Sequence, residues 1–239
     1  MSTLNRITPR APAEAMGVDR ETAILRVWHD HAAPWTRAVR EQAIASRRLV
    51  TDAAIVEAVL AWRPKRIIDV GCGEGWLLRA LARHGIEGLG VDAVPALVES
   101  ARAASGGRFL TMDYAAIATG GLHEQADVVV CNFSLLGGAS VDALLGAIPA
   151  LLAPGGGLLI QTLHPWSACG EGEYRDGWRE GSWAGCGEGF GEAAPWYFRT
   201  LAGWMQSFAA AGLTLESMRE PIDPQSGKPA SVIFVLVPR

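Results

Sequence analysis

The sequence predicts an α/β fold in which helices cover both faces of a mostly parallel β-sheet. From Lys65 to Leu163, stretches with the pattern of buried strands alternate with stretches of helical periodicity. Strands that alternate with helices pair in parallel through right-handed crossovers. Two more apolar stretches end the chain, and the turn-rich link between them, 221–229, is too short for a helical crossover. We therefore predict that the last two strands form an antiparallel hairpin.

The residues before this alternation are predicted to be a separate helical segment. Residues 1–17 contain prolines among mixed polar residues and are predicted to be a flexible N-terminus. Residues 18–62 are predicted to form an N-terminal cap of helices, because apolar side chains recur at helical spacing up to the stop signal Arg63-Pro64. Residues 63–239 are then predicted to form the main domain.

The elements of the main domain follow one another in a regular order. The predicted strands are 65–70, 88–92, 108–112, 126–132 and 158–163, and the predicted helices between them are 75–84, 95–104 and 140–152. The alternation stops at residue 164, and residues 164–195 form a glycine- and aromatic-rich connection. Its length is typical of a lid over a binding site. A helix at 195–211 and strands at 213–218 and 231–237 are predicted to follow it.

Composition narrows the class of protein. The chain has 239 residues, of which 49% are hydrophobic, which suffices for one large α/β domain with an appendage. Its net charge of -4 argues against nucleic acid as the main partner. We find no apolar run that could span a bilayer and no signal-peptide pattern, so no membrane partner is expected. The four cysteines lack CxxC spacing, which predicts reduced thiols in a cytoplasmic protein. We expect a monomer or homodimer.

The stretch from Asp69 to Gly75 indicates a site for a nucleoside-containing cofactor. Glycines alternate at 71, 73 and 75, and bare backbone lets a ligand approach closely. Asp92, at the end of the second strand, can accept hydrogen bonds from both hydroxyls of a ribose. Asp69 and Glu74 would repel a pyrophosphate, whereas a cofactor carrying a sulfonium and an ammonium would not be repelled. The spacing G-x-G-x-G also differs from the G-x-G-x-x-G of dinucleotide-binding proteins.

These motifs resemble those of the class I S-adenosylmethionine-dependent methyltransferases over about residues 46–163. In that family the first strand ends in an acid-x-Gly-x-Gly-x-Gly motif, matched here from Asp69 to Gly75. With Leu163-His164-Pro165-Trp166 and the Trp-rich lid, the chain most resembles uncharacterised bacterial small-molecule methyltransferases. The resemblance implies a three-layer Rossmann-like sandwich with seven strands. It also implies that the last strand is antiparallel and lies between the fifth and the sixth.

The resemblance further implies S-adenosylmethionine as cofactor and S-adenosylhomocysteine as product. Asp92 would hold the ribose, Asp113 would lie near the adenine amino group, and residues 132–134 would lie beside the methionine part and the methyl group. The pattern Ile44-x-x-x-Arg48 is similar to quinone-biosynthesis O-methyltransferases, in which such an arginine holds the cofactor's carboxylate. The cofactor-binding residues predicted in this way are Arg48, Asp69, Gly71, Cys72, Gly73, Gly75, Asp92, Ala93, Met112, Asp113, Tyr114, Asn132, Phe133 and Ser134.

The implied activity is methyl transfer to O or N of a small molecule. Residues 132–135 lack the prolines of the [DN]-P-P-[YF] motif found in methyltransferases that act on amide or adenine amino groups, which disfavours that chemistry. His164 leaves the fifth strand at the ligand side of the sheet, and we interpret it either as a general base or as an anchor for the lid. His29 and His31 are second candidates for the base.

Aromatic walls suit a flat or cationic substrate, and an arginine can hold a carboxylate. The predicted substrate-binding residues are Trp28, Trp35, Trp166, Trp178, Trp196, Tyr197 and Arg199. No set of side chains has the spacing of a metal site.

Two other hypotheses stay open at this point. An NAD-dependent oxidoreductase would have a sixth parallel strand in place of the hairpin, and a non-catalytic S-adenosylmethionine-binding protein would keep the pocket without transferring a methyl group.

Overall fold

The computed structural model describes residues 13–239 of the chain, with side chains from Arg20 onward. Residues 1–12 of the predicted flexible terminus lie outside the described residues. Its last five residues belong to the first helix, α1, so the helical segment begins earlier than predicted. The elements before the sheet are α1 (Ala13–Asp30), α2 (Ala32–Arg40), a π-helical turn (Arg47–Thr51) and α3 (Asp52–Trp62).

The remaining elements alternate as the sequence pattern indicates. The helices are α4 (Trp76–Ala82), α5 (Pro95–Ala104), α6 (Tyr114–Ala118), α7 (Ala139–Ala147), α8 (Pro165–Cys169) and α9 (Leu201–Ala210). The strands are β1 (Arg66–Val70), β2 (Glu87–Asp92), β3 (Arg108–Thr111), β4 (Ala126–Asn132), β5 (Leu152–Thr162), β6 (Gly177–Arg179), β7 (Trp196–Phe198), β8 (Leu213–Arg219) and β9 (Val232–Pro238).

Seven of these strands form one sheet in the order β3-β2-β1-β4-β5-β9-β8. Strands β1 to β5 pair in parallel, whereas β9 pairs antiparallel with both β5 and β8. The predicted fold, with an antiparallel last strand between the fifth strand and the other hairpin strand, is therefore confirmed. The strand beside β5 is not the parallel strand that the nicotinamide-dependent hypothesis required.

Alternating side chains of the central strands enter two separate cores, one on each face of the sheet. Val129 and Ile160 face α7 and α9, whereas Val130 and Leu159 face α3 and α4. All four are fully buried, as expected for strands covered by helices on both sides. The result is a three-layer sandwich whose parallel strands end at one edge, called here the carboxyl edge. Ligands of open α/β sheets bind at this edge.

Two element boundaries differ from the prediction. The helix predicted from residue 195 begins at Leu201, because residues 196–198 form β7 and pair with β6 inside the lid. The run Trp-Tyr-Phe favours a strand, and the Thr200 side chain accepts a hydrogen bond from the Gly203 N–H at 2.9 Å and so starts α9. The helix predicted for 140–152 is α7 followed by a 3-10 helical turn (Ile148–Leu151), and β5 begins at Leu152 rather than at residue 158. Across the described helices, we find none whose length and apolar character would suit a membrane span.

Candidate active site

The glycine turn after β1 is held against the end of β2. The N–H groups of Gly71 and Cys72 both donate to the Val91 carbonyl, at 2.7 and 3.1 Å. Gly71, Gly73 and Gly75 have φ angles of +77°, +56° and +81°, in the left-handed region that other residues rarely adopt. This backbone explains the glycine spacing. Gly71 and Gly73 are half-buried at the carboxyl edge, where the sequence predicts the cofactor, and Gly75 is buried.

Asp92 is built into the same turn. One carboxylate oxygen accepts from the Gly73 N–H at 2.8 Å, and the other accepts from the Val94 N–H at 2.9 Å. Burial raises the pKa of this carboxyl group, and these two N–H groups partly offset that effect. Ala93, which follows it, is half-buried. The predicted ribose acid and the predicted glycine turn are therefore one hydrogen-bonded unit.

Asp69 and Glu74 have different surroundings, although both are buried. Burial, and secondly the charge of Asp92, raises the pKa of Asp69 to about 7. Glu74 instead forms ion pairs with Arg79 at 2.5 Å and with Arg40 at 3.0 Å. Our expectation that Glu74 repels a pyrophosphate is therefore wrong, because two guanidinium groups compensate its charge. Asp69 and Asp92 remain as the acidic groups beside the turn.

The ends of β3 and β4 complete this edge. Tyr114 donates from its hydroxyl to the Ser134 carbonyl at 2.9 Å, and Ser134 donates to the Val70 carbonyl at 2.7 Å. Phe133 has a φ of +52°, which is strained for a bulky residue. Met112 donates its N–H to the Asp92 carbonyl at 3.0 Å. Asp113 is exposed and accepts from the Ala116 N–H at 2.8 Å, so it starts α6.

Aromatic side chains of the N-terminal cap and the lid meet over the glycine turn. The Trp35 Nε1 atom lies 3.6 Å from where a Cβ on Gly73 would stand. Trp28 packs edge-on against Trp35 and Trp183, with ring centroids 5.0 and 5.3 Å apart. This group, called here the cap–lid cluster, comprises Trp28, His31, Trp35, Trp183 and Phe190. It brings the predicted residues Trp28 and Trp35 together above the site.

His31 joins the cap to the lid by hydrogen bonds. Its Nδ1 lies 2.7 Å from the Val27 carbonyl and its Nε2 lies 2.8 Å from the Gly191 nitrogen. The pattern assigns the proton to Nδ1, so that Nε2 accepts from the Gly191 N–H. His29 is exposed, and its electrostatic interaction with Asp92 lowers the pKa of that carboxyl group. Both ring nitrogens of His31 are therefore engaged, whereas the exposed His29 ring makes no hydrogen bond with the described residues.

The other predicted substrate residues are divided between several places. Trp178 packs edge-on against Tyr197 across the β6–β7 hairpin, at 5.5 Å. Trp196 packs against Phe198 on the other side of β7. Trp166 is 58% exposed and lies under the Lys228 ammonium at 5.8 Å. The structure therefore does not bring Trp166 and Trp196 to the cap–lid cluster.

Arg199 does not have the position that the sequence suggested. Its side chain is buried and donates to the carbonyls of Gly137 and Gly138, both at 2.8 Å, and to Asp142 at 3.0 Å. Its guanidinium also lies 4.9 Å from the centre of the Tyr197 ring. These contacts use its donors to hold the loop after β4. A substrate carboxylate would have to displace these hydrogen bonds, so the contacts of Arg199 indicate a structural role rather than substrate binding.

Arg47, rather than Arg48, faces inward from the π-helical turn. Arg48 is exposed, and its side chain makes no hydrogen bond or ion pair with any residue of the described range. Arg47 pairs with Asp52 at 2.9 Å, and its guanidinium lies 4.7 Å from the Trp76 ring and 5.8 Å from the Trp35 ring. Arg48 was predicted from the resemblance to quinone-biosynthesis O-methyltransferases alone, and in this structure the neighbouring Arg47 is the arginine that turns inward.

His164 lies at the end of β5 as predicted, but both ring nitrogens are engaged. Nδ1 accepts from the Trp166 N–H at 3.2 Å, and Nε2 lies 2.8 Å from the Glu220 carboxylate. The ring is 5% exposed. This arrangement starts α8 and joins the beginning of the lid to the end of β8. Within residues 20–239, no group of three or more His, Cys, Asp and Glu side chains is arranged to hold a metal ion.

Several residues of the site were not predicted as such. Trp183 and Phe190 lie in the lid, where the aromatic composition is a signal but does not say which rings face the cap. Arg47 is adjacent to the residue that was chosen. Three buried polar residues, Thr51, Gln161 and Ser231, also lie near this edge. In the sequence, each of these residues belongs to an ordinary helix or strand pattern. Only the folded arrangement of the elements shows that the three lie close to the same edge.

The features above define a three-layer α/β domain with a glycine turn and a hydrogen-bonded acid at its carboxyl edge. The chain belongs to the methyltransferase-domain family, which it matches over residues 41–217. The resemblance to S-adenosylmethionine-dependent methyltransferases is thereby confirmed.

Individual relatives agree with this assignment. A ubiquinone biosynthesis O-methyltransferase of Xanthomonas campestris pv. campestris (strain B100) is 34% identical over 113 residues, which are 46% of this chain and 47% of that protein. The chain thus spans about half the length of the relatives it matches. Magnesium protoporphyrin IX methyltransferase from Synechocystis PCC 6803, solved with bound S-adenosylhomocysteine, has a TM-score of 0.64 at 17% identity and covers 92% of this chain and 100% of its own.

A methyltransferase from Mesorhizobium loti has a TM-score of 0.56 at 23% identity, covering 75% of this chain and 95% of its own. At such identities, the two solved structures show that the fold is shared.

Proposed function

We propose that the protein is an S-adenosylmethionine-dependent methyltransferase that acts on O or N of a small molecule. The observation that carries the proposal is the hydrogen bond from the Gly73 N–H to the Asp92 carboxylate. It places a ribose-binding acid directly beside bare backbone at the carboxyl edge, in a chain of the methyltransferase-domain family. Asp92 would hold the ribose diol, and Asp69 supplies negative charge suited to a cationic donor.

When bound, the cofactor supplies a methyl group that is already activated by its sulfonium. The protein therefore needs mainly to align the acceptor and exclude water. The cap–lid cluster covers the glycine turn and supports the second role. Its indole rings also suit a flat or cationic acceptor. The net charge of -4 supports a small molecule over a nucleic acid. The cytoplasmic location, the monomer or homodimer, and the division into cap, main domain and lid remain predictions.

The proposal is tested by incubating the protein with S-adenosylmethionine labelled in its methyl group and, separately, with the metabolite, protein and RNA fractions of a bacterial lysate. We expect label in at least one small molecule, and much less of it at a subsaturating cofactor concentration when Asp92→Ala replaces the parent protein. Methylation confined to protein or RNA fractions would contradict a small-molecule acceptor.

The raised pKa of Asp69 predicts that cofactor affinity depends on pH. The pKa of Asp69 in the folded protein, about 7, lies above its ordinary value of 3.8, so ionising Asp69 destabilises the folded state. This loss of stability is absent below pH 3.8, grows as the pH rises, and is complete above pH 7. A cationic cofactor favours the ionised form. Its affinity should therefore rise about tenfold from pH 6 to pH 8, with proton release at pH 6.

Calorimetry with S-adenosylmethionine in buffers of different ionisation enthalpy measures both quantities. Asp69→Asn is the matched control, and its affinity should be weaker and nearly independent of pH. An unchanged pH dependence in this variant would assign the titration to another group.

For His164 the geometry supports an anchoring role over a base. Asparagine at this position can still accept from the Trp166 N–H but cannot take up a proton at neutral pH. We expect His164→Asn to lower the free energy of unfolding by about 1–2 kcal/mol, through loss of the Glu220 contact, and to change the rate of methyl transfer by less than fivefold. A fall in that rate of about 100-fold or more would instead establish His164 as the base.

A further inference from the structure

A group of buried polar side chains lies at the carboxyl ends of β4 and β5, next to the glycine turn. Each has an oxygen without a hydrogen-bond partner: Oγ1 of Thr51, Oδ1 of Asn132, Oε1 of Gln161 and Oγ of Ser231. Thr51 and Gln161 are 1% exposed and Ser231 is 0% exposed. We call these four residues the polar quartet.

Strand pairing places three members of the quartet on one face of the sheet, and a hydrogen bond brings Thr51 over that face. Asn132 and Gln161 are direct partners in the parallel pair β4–β5. Gln161 is also opposite Ile233 in the pair β5–β9, and Ser231 precedes Ile233 by two residues, so its side chain lies on the same face. Gln161 donates from Nε2 to the Thr51 carbonyl at 3.0 Å, which brings the π-helical turn over this face.

The quartet is costly as a purely structural feature. Buried polar groups in native proteins are nearly always paired, and each exception needs an explanation. Apolar side chains of similar shape would avoid the desolvation cost at Thr51 and Ser231. The neighbouring chain supports a functional reason, because the strained Phe133 directly follows Asn132. Strain of this kind is typical of functional sites.

The unpaired atoms specify the chemistry of a ligand. Gln161 is fixed by its Nε2 contact, so the atom left over is a carbonyl oxygen, which only accepts hydrogen bonds. The Asn132 oxygen is also an acceptor, and the two hydroxyls can accept as well as donate. A carboxylate or phosphate would place its own lone pairs against these oxygens. The quartet therefore suits a group that donates hydrogen bonds.

We propose that the polar quartet binds a hydroxyl or amino group of the methyl acceptor. This inference rests on the proposed function, because it assigns the acceptor side of the same site. The ammonium group of the cofactor has similar chemistry, so the experiment must separate the two sources. A quartet that serves the acceptor can be altered without loss of affinity for S-adenosylhomocysteine.

The first measurement needs no ligand. In the free protein, Thr51→Val and Ser231→Ala each remove an unpaired hydroxyl, so each should raise Tm by about 1–4 °C. Thr200→Val is the matched control, because the Thr200 hydroxyl is buried but paired with the Gly203 N–H, and it should lower Tm. A fall in Tm for both quartet variants, comparable to that of Thr200→Val, would show that their hydroxyls are structural and would overturn the proposal.

The second measurement uses simple aromatic probes with the complex of the protein and S-adenosylhomocysteine. Saturation-transfer NMR titrations would compare benzyl alcohol, benzylamine, toluene and benzoate. We expect one of the two donor-bearing probes to bind at least tenfold more tightly than toluene and benzoate. Thr51→Val and Ser231→Ala should remove this preference and keep the parent affinity for S-adenosylhomocysteine. Benzyl alcohol and benzylamine then distinguish a hydroxyl from an amino acceptor.

Three results would count against the proposal. Equal binding of all four probes, or a preference that survives in both variants, overturns the acceptor site. Loss of S-adenosylhomocysteine affinity in the variants assigns the quartet to the cofactor instead. If the parent protein itself fails to bind S-adenosylhomocysteine, the proposed function is wrong and the inference falls with it.

Discussion

Replacing Gly71 with alanine is expected to lower the free energy of unfolding by about 2–5 kcal/mol and to abolish cofactor binding. Gly71 has a φ of +77°, which alone costs an alanine about 1–2 kcal/mol. The new Cβ would also overlap the Ser134 Cβ and lie 3.2 Å from the Tyr114 hydroxyl. Because Ser134 and Tyr114 are hydrogen-bonded in place, relieving the overlap requires the glycine turn to move.

Gly85 provides a matched control for this substitution. Its φ is +76°, and an added Cβ would meet no atom within 4 Å. Gly85→Ala should therefore cost only the backbone term of about 1–2 kcal/mol and leave cofactor affinity unchanged. Denaturant unfolding of the two variants measures the difference. If both variants lost the same free energy of unfolding, the close approach of Ser134 to Gly71 would make no contribution to stability.

Replacing Asp92 with alanine is expected to weaken binding of S-adenosylhomocysteine by about 1.5–3 kcal/mol, or roughly 10- to 150-fold. The substitution removes the acceptors proposed for the ribose hydroxyls. It also frees the Gly73 N–H, which Asp92 holds at 2.8 Å, so the glycine turn loses its order at the same time. Isothermal calorimetry on the folded variant measures the loss directly.

Asp127→Ala controls for the loss of two backbone contacts. The Asp127 carboxylate accepts from the N–H groups of Lys65 and Arg66, at 2.7 and 2.9 Å, but at the opposite edge of the sheet. This variant should lose stability and keep the parent affinity for S-adenosylhomocysteine. If the Asp92 and Asp127 variants bind equally well, the ribose is held elsewhere.

The sheet could be predicted because its signals are local. Apolar strand patterns and turn residues identify β1 to β5, and the short link before β9 requires an antiparallel pairing. The glycine turn was also predictable, since three alternating glycines indicate backbone that other residues cannot adopt. Asp92 could be placed beside that turn because the carboxyl ends of parallel strands meet at one edge.

The charge compensation of Glu74 could not be predicted in the same way. Arg79 is five residues away and Arg40 is 34 residues away, and neither distance along the chain indicates an ion pair. The same limit applies to Arg199, whose partners lie about 60 residues earlier, and to His31, which accepts from Gly191 160 residues later. The polar quartet likewise depends on strand register, because each member follows an ordinary helix or strand pattern locally.

We propose that the carboxyl edge binds S-adenosylmethionine rather than a dinucleotide. Calorimetric titration of the protein at pH 8 with S-adenosylhomocysteine, and separately with NAD, tests it most directly. We expect saturable binding of S-adenosylhomocysteine that is weakened about 10- to 150-fold in Asp92→Ala, and no measurable binding of NAD. Saturable binding of NAD, with no response to S-adenosylhomocysteine, would contradict it.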